Sequence, residues 1–227
     1  MPILVVAAHP DDEVLGCGGT IVRRAEEGCD VHIAILGEGI TSRYEDRDEA
    51  DQELVESLKE TSREVGAFLG AEEVYLRSFP DNRFDTVPLL EVVKTIESLI
   101  DEIEPETVYT QHGGDLNIDH NIVYRATLTA TRPMADCPVQ RVYAYEVASS
   151  TEWAFQEFSP PFRPNTFVDV ESTLEKKVKA MQMYDSEARP YPHPRSPKSL
   201  RAIAQNWGRT AGLQAAEAFE LVRSVDR

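Results

Sequence analysis

Three carboxylates and an imidazole crowd into His9-Pro10-Asp11-Asp12-Glu13, and a second polar cluster, from His112 through Asp115, Asn117 and Asp119 to His120, carries two more imidazoles. His9 and Asp12, three apart on one turn, can offer a ring nitrogen and a carboxylate oxygen to a single ion. His120 can supply a third ligand if the strands that precede the two clusters are neighbours. Three protein ligands of mixed N and O type, with a position left for water, form the pattern of a catalytic zinc; structural zinc more often has four ligands, usually with Cys. The same donor set accepts other divalent ions, Fe2+ among them. Asp11, beside the ligating turn but not needed as a ligand, can take a proton from a water whose pKa zinc lowers toward ~7. Asp119 or Asp115 can hold the far nitrogen of a ligating imidazole.

A simpler reading stands beside this one. His-Pro-Asp-Asp is also what a helix N-cap looks like, and Asp119 could cap a helix that begins at Asn121. His32, alternating within a strand, reads as packed or surface-facing. Convergence favours a site: two of the five histidines fall in Asp-rich turns, and both turns sit at the C-terminal ends of predicted strands.

The elements that must position these groups follow from the apolar pattern. Ile3 to Ala7 is a buried strand that Pro10 cannot extend. Ile21, Val22 and Ala25 predict a helix over Thr20 to Glu27 with Gly28 behind it, and Val31 to Leu36 is the next strand, which together make a parallel crossover unit. Residues 40–52 read as a loop over the C-terminal edge of the sheet. A helix over Glu53 to Leu69 places Leu54, Leu58, Val65 and Leu69 on one face. Strands follow at 74–76, 107–110 and 141–146, with helices at 89–103 and 121–131 between them. Strands and helices alternating at these lengths specify a doubly wound, mostly parallel, Rossmann-like α/β sheet. Ligands bind such sheets beyond the strand C-termini, where both clusters lie.

The last third changes character. Ser159 to Pro164 reads as a rigid connector, 166–170 as a short strand, and Leu174 to Tyr184 as a helix. A proline-rich loop over 185–197 carries His193 and Arg195, Ser199 to Gly212 is a final helix, and 218–222 closes as an edge strand. The expectation is one domain over 1–227, with an α/β core at 1–150 and a strand-helix-loop-helix extension at 151–227 over the site.

The chain has 227 residues and a net charge of −17, an acidic balance that argues against a nucleic-acid backbone or an anionic membrane surface as partner. Cys17, Cys29 and Cys137 are too few and too scattered for a disulfide framework. No segment approaches the roughly 18 apolar residues of a membrane span, and the N-terminus opens directly into a strand. A soluble, cytoplasmic protein is expected. A nucleotide-binding reading fares poorly, because Gly16-Cys17-Gly18-Gly19 does not match G-x-G-x-x-G and lies beyond a carboxylate cluster that repels pyrophosphate.

Ala8-His9-Pro10-Asp11-Asp12-Glu13 with the glycines at 16, 18 and 19, followed by Asp119-His120 beyond the fourth strand, resembles the PIG-L/LmbE-like N-deacetylases. Tyr184 to Glu187 and the tail from Ala215 to Phe219 extend the likeness. The resemblance implies a zinc enzyme that removes acetyl groups from N-acetylglucosaminyl and related amino-sugar conjugates. His9, Asp12 and His120 match the family's metal ligands, and Asp11 matches its general base. Many members carry a His three residues before the third ligand, where this chain has Asn117. An amide can donate to an oxyanion but cannot deliver a proton. The proton donor to the leaving amine therefore has three candidates: Asp11 itself, His193 in its stiffened loop, and His112 at the strand end beside the substrate. Asp81 and Arg83 are candidate substrate contacts after the third strand, where the resemblance implies an Asp that binds sugar hydroxyls, and Arg43 and Arg195 are candidates to meet an anionic group on the aglycone. Members form trimers or hexamers, so a homo-oligomer is expected. A metal- or sugar-binding protein without catalysis on the same scaffold is the competing reading, and the Asn117 departure keeps it open.

Overall fold

A computed structural model describes residues 1–158 and 160–226. The chain runs through β1 (Pro2–Ala7), α1 (Asp12–Glu26), β2 (Asp30–Gly37), α2 (Gln52–Leu69), β3 (Glu73–Phe79), α3 (Leu89–Ile103), β4 (Thr107–Gln111), α4 (Ile118–Ala130) and β5 (Arg141–Tyr145), then β6 (Thr166–Asp169), α5 (Leu174–Met183), α6 (Pro197–Ala211) and β7 (Ala216–Ser224). Seven strands form one sheet in the order β3-β2-β1-β4-β5-β7-β6. The first five pair in parallel, and β7 pairs antiparallel with both β5 and β6.

Strand β1 shows why the sheet is covered on both sides. Ile3, Val5 and Ala7 pack under α1, α2 and α5, whereas Leu4, Val6 and Ala8 face α3 and α4. A strand buried on both faces reads as a continuous apolar run, as this one does. No helix among the described residues is long and apolar enough to cross a membrane.

Helix α1 starts at Asp12, eight residues before the predicted Thr20. Glycines at 16, 18 and 19 argue against helix on propensity, but tertiary packing overrides that preference. A Cβ at Gly16 would lie 2.1 Å from Cδ2 of Tyr145, and one at Gly19 would lie 2.8 Å from Cγ1 of Val170. The helix therefore lies closer to the sheet and to the C-terminal segment than any side chain would permit. Tyr145 is fixed in turn by its hydroxyl, which donates to the Val6 carbonyl at 2.8 Å. Gly16→Ala is expected to destabilise the fold by about 1–3 kcal/mol through overpacking, read as a lowered denaturation midpoint; an unchanged midpoint would contradict the packing argument.

The C-terminal elements also grip α1 directly. Lys177 of α5 donates to the Leu15 carbonyl at 2.8 Å and to Glu217 Oε1 of β7 at 2.6 Å. Glu217 accepts from the Gly19 and Thr20 amides at 2.9 and 2.7 Å. Both side chains are buried, so removing one partner would leave an uncompensated charge.

Three further expectations are corrected. β7 is not an edge strand: it lies between β5 and β6, and β6 forms the edge. Leu54 is 47% exposed, and the buried face of α2 runs through Val55, Leu58, Ser62, Val65 and Leu69. Residues 40–52 contain two short 3-10 turns, Thr41–Arg43 and Arg47–Glu49. The connector expected over Ser159 to Pro164 begins at a residue outside the described ones.

Glu146, just after β5, accepts a hydrogen bond from the Trp207 indole of α6. Burial pushes its carboxyl from 4.5 up to about 7, and the Trp207 bond pulls the other way. A raised carboxyl contributes stability that is fully present below the unfolded value and is lost as pH rises through about 7. Glu146→Gln is therefore expected to be more stable than the parent by about 1–3 kcal/mol at pH 8 and by much less at pH 5, measured by chemical denaturation. Equal shifts at both pH values would rule out the titration.

Candidate active site

Strands β1 and β4 are hydrogen-bonded neighbours, and the strand order reverses between them. That is the topological switch point of the sheet, where the loops on either side diverge and leave a crevice. His9, Asp11 and Asp12 leave β1 into this crevice, and Asn117 and His120 enter it after β4. Together with Arg43, Asp81, Ser149, Glu187 and Arg195 they line a polar cleft of about 220 Å³. A larger cavity of about 390 Å³ beneath α6 is mostly apolar and holds none of these groups.

Helix geometry places the ligating atoms. Asp11 occupies the N-cap of α1 with φ 97°, a left-handed backbone that is strained for a non-glycine residue, and its side chain caps no amide. The Asp11 amide donates to Glu13 Oε2 at 3.1 Å, and Glu13 Oε1 accepts from the Tyr184 hydroxyl at 2.8 Å, so the turn is held from below. Burial pushes the Glu13 carboxyl up to about 7. Asp12 Oδ2 accepts from the His9 amide at 2.8 Å and from Gln111 Nε2 at 3.1 Å. The helix-cap reading of the first cluster therefore fails for Asp11.

At the second cluster capping does occur, but by a different residue. α4 begins at Ile118, Asn117 is its N-cap, and the Asn117 side chain accepts from the Asp119 amide at 2.9 Å. Asp119 is thereby free of capping. Its Oδ1 accepts from the Phe84 amide at 2.9 Å, and its Oδ2 lies 2.9 Å from His9 Nε2.

Ligand atoms of His9, Asp12 and His120 lie within 4.8 Å of one another. His9 Nδ1 is 3.4 Å and His120 Nε2 3.3 Å from Asp12 Oδ2. The opposite nitrogens each face a carboxylate: Asp119 for His9, and Asp115 Oδ1 at 3.1 Å for His120 Nδ1. Asp115 is itself anchored by the Ser150 and Thr151 hydroxyls and by the Asn117 amide. A second grouping, His9 with Asp81 and Asp119, uses the other face of His9, but Asp119 is already engaged by His9 and Phe84.

Both nitrogens of the buried His120 ring lack a properly aligned hydrogen bond. Two imidazoles ringed by Asp12, Asp81, Asp115 and Asp119, one of them turned to Asp12 without an aligned hydrogen bond, fit a bound cation. Without one, the carboxylates draw protons onto the rings. Burial disfavours the charged form of His120, yet Asp12 and Asp115 hold its pKa up at about 9. Burial also opposes ionisation of Asp12, but His120 and His9 outweigh that and hold it well below the usual carboxylate range. Asp11 differs: burial pushes its carboxyl well up, although Arg195 Nη1 donates to its Oδ2 at 2.8 Å and works against the shift.

The remaining sequence-predicted residues divide. Asp81 lines the cleft, accepts from the Ser42 amide and hydroxyl, and lies 3.3 Å from His9 Nε2. Asn117 lines it too, with Nδ2 donating to Asn82 Oδ1 at 2.9 Å. Arg43 and Arg195 line it but are bound to carboxylates: Arg43 to Glu187, and Arg195 to Asp11 and Glu187, the latter at 3.0 Å. Three others are not brought into the cleft. His112 is buried between Glu220 at 2.9 Å and the Pro160 carbonyl at 2.8 Å. His193 packs edge-on against Trp153, and Arg83 points out to the Glu45 carbonyl. Sequence reasoning missed Glu187 and Gln111 as parts of the site; the available signals were Gln111 as a polar residue ending an otherwise buried strand and Glu187 as the end of the Tyr184 to Glu187 stretch of the family likeness.

The PIG-L family model, described as GlcNAc-PI de-N-acetylase, matches residues 4–131. An uncharacterised deacetylase of Escherichia coli K12, YaiS, is 27% identical over 196 residues, covering 81% of this chain and 90% of its own length. The 1D-myo-inositol 2-acetamido-2-deoxy-alpha-D-glucopyranoside deacetylase of Mycobacteroides abscessus is 33% identical over 174 residues, 65% of this chain, and the match spans 61% of that enzyme. The fold superposes on N,N'-diacetylchitobiose deacetylase from Pyrococcus horikoshii with a TM-score of 0.78 at 20% identity, covering 98% of this chain and 84% of that one. With the motif residues gathered at one switch point and the family model spanning more than half of its length, the chain belongs to the PIG-L family of deacetylases.

Proposed function

We propose that the cleft hydrolyses the N-acetyl group of an N-acetylglucosamine-type conjugate, with His9, Asp12 and His120 holding a divalent ion of the kind that imidazole and carboxylate donors accept, zinc or Fe2+. The observation that carries this reading is the convergence of two imidazoles on Asp12, each backed by its own carboxylate, beside an Asp11 not drawn into that cluster. Backing carboxylates fix the imidazole tautomer, so His9 Nδ1 and His120 Nε2 are the nitrogens left to bind. An ion so held supplies a nucleophilic water near neutral pH and polarises an acyl carbonyl.

The chain's own residues do the rest. Asp11 takes the proton from the attacking water and returns it to the amine nitrogen as the C–N bond breaks, leaving acetate and a free amine. With His193 and His112 outside the cleft and Asn117 unable to deliver a proton, Asp11 serves in both directions. Arg195, anchored to Ser149 Oγ at 2.8 Å, holds the Asp11 carboxylate in one orientation. The Asn117 amide, at the cleft wall, donates to the developing oxyanion in exchange for its bond to Asn82. Asp81, Ser42 and Asn82 form a wall suited to sugar hydroxyls.

Elemental analysis of the purified protein, coupled to a free-amine assay over N-acetylglucosaminyl conjugates with and without chelator, tests this. Close to one equivalent of divalent ion and chelator-sensitive amine release are expected. Full metal occupancy with no release from any conjugate would overturn the hydrolase in favour of a binding protein.

A further inference from the structure

We infer that the cleft selects conjugates whose aglycone is a neutral polyol over those whose aglycone carries carboxylate or phosphate, and that Glu187 sets this preference; the inference rests on the deacetylase reading above. Among the described residues the cleft lining holds four carboxylates, Asp11, Asp12, Asp81 and Glu187, against two guanidiniums, Arg43 and Arg195. A divalent ion brings this count to neutrality, with no cation left over to meet an anionic ligand.

Geometry says the same. Glu187 is buried, and both of its oxygens are engaged: Oε1 accepts from Arg43 and from the Ser186 hydroxyl, and Oε2 accepts from Arg195. It ties Arg43, at the end of the short turn after β2, to its own loop before α6. Arg195 also donates to Asp11 and to Ser149. Arg47, further along the same loop as Arg43, is bound in a two-pronged fashion to Glu38 at 2.7 and 2.8 Å and does not line the cleft. An incoming anion would have to share a guanidinium with Glu187 and sit beside its charge, and like charges so juxtaposed are disfavoured. What the lining does offer are neutral groups, Ser42, Asn82, Ser149 and Ser150, which are hydrogen-bonded within the protein but can share or exchange those bonds with the hydroxyls of a polyhydroxylated ring without bringing like charges together.

The test measures kcat/KM of the metal-loaded protein for N-acetylglucosaminyl-inositol and N-acetylglucosaminyl-malate, with calorimetric binding of the two deacetylated glycosides as a readout independent of turnover. The wild type is expected to favour the inositol compound by about tenfold or more in both readouts, and Glu187→Gln to narrow that ratio by about fivefold or more through better handling of the malate compound. A wild type that favours malate, or a variant that shifts both compounds alike, would overturn the inference. Absence of hydrolysis with inositol-glycoside binding still preferred would overturn the deacetylase reading and leave the charge preference standing; absence of both would overturn both. The wild-type comparison does not depend on the variant folding.

Discussion

Asp11→Asn is expected to lower kcat by about 10²–10⁴-fold while leaving metal content at the wild-type level. The substitution is well matched to its position. Asn tolerates the left-handed backbone that Asp11 adopts, and its amide oxygen can still accept from Arg195. Shape, backbone and the link to the C-terminal loop are therefore retained, and only the capacity to take and return a proton is lost. Parallel measurement of kcat, bound metal and product affinity separates this from misfolding. Retained turnover would mean that the proton is handled elsewhere, and a loss of metal would mean that Asp11 belongs with the ligands.

His9→Ala is expected to reduce bound metal from near stoichiometric to less than about a tenth while circular dichroism stays native-like, because two protein ligands hold an ion far less firmly than three. The effect exceeds that of a support residue. Asp119→Asn, which leaves all three ligands in place but removes the carboxylate behind His9, is expected to weaken metal affinity by about 10–100-fold. Competition with a chelator of known affinity measures both. Full occupancy in His9→Ala would refute the ligand assignment, and it would point instead to a site that holds its ion without His9.

Both substitutions lie in the part of the site that was legible in the sequence, and the physical reason is locality. His9, Asp11 and Asp12 share one turn, and the apolar run before them announces a strand whose end must be polar. The direct pairing of β1 with β4 then brings in His120. Roles set by distant partners were not legible. Arg195 looked like a substrate contact because nothing in its local sequence reveals that Asp11 lies 2.8 Å away, and Glu187 showed no sign of bridging two arginines. His112 and His193 failed as site residues for the same reason, since the groups that fix them, Glu220 and Trp153, come from remote segments. The alternation of strands and helices gave the layers of the sheet. It could not place β7 inside the sheet, because strand order depends on which edges are covered, and it missed the start of α1, because glycine propensity was overridden by Tyr145 and Val170.

The position of β7 bears on how the molecule comes into being. β6 pairs with β7 and with no other strand among the described residues, yet α5 and α6 separate the two in the chain. A ribosome would deliver β6 before its partner, and β5 would wait with an open flank over the same interval. Glu217 must then reach back across 198 residues to the Gly19 amide. Contacts so remote in sequence slow folding and prolong the exposure of unpaired strand edges. The helix that carries Asp12 is thus synthesised long before the strand that grips it.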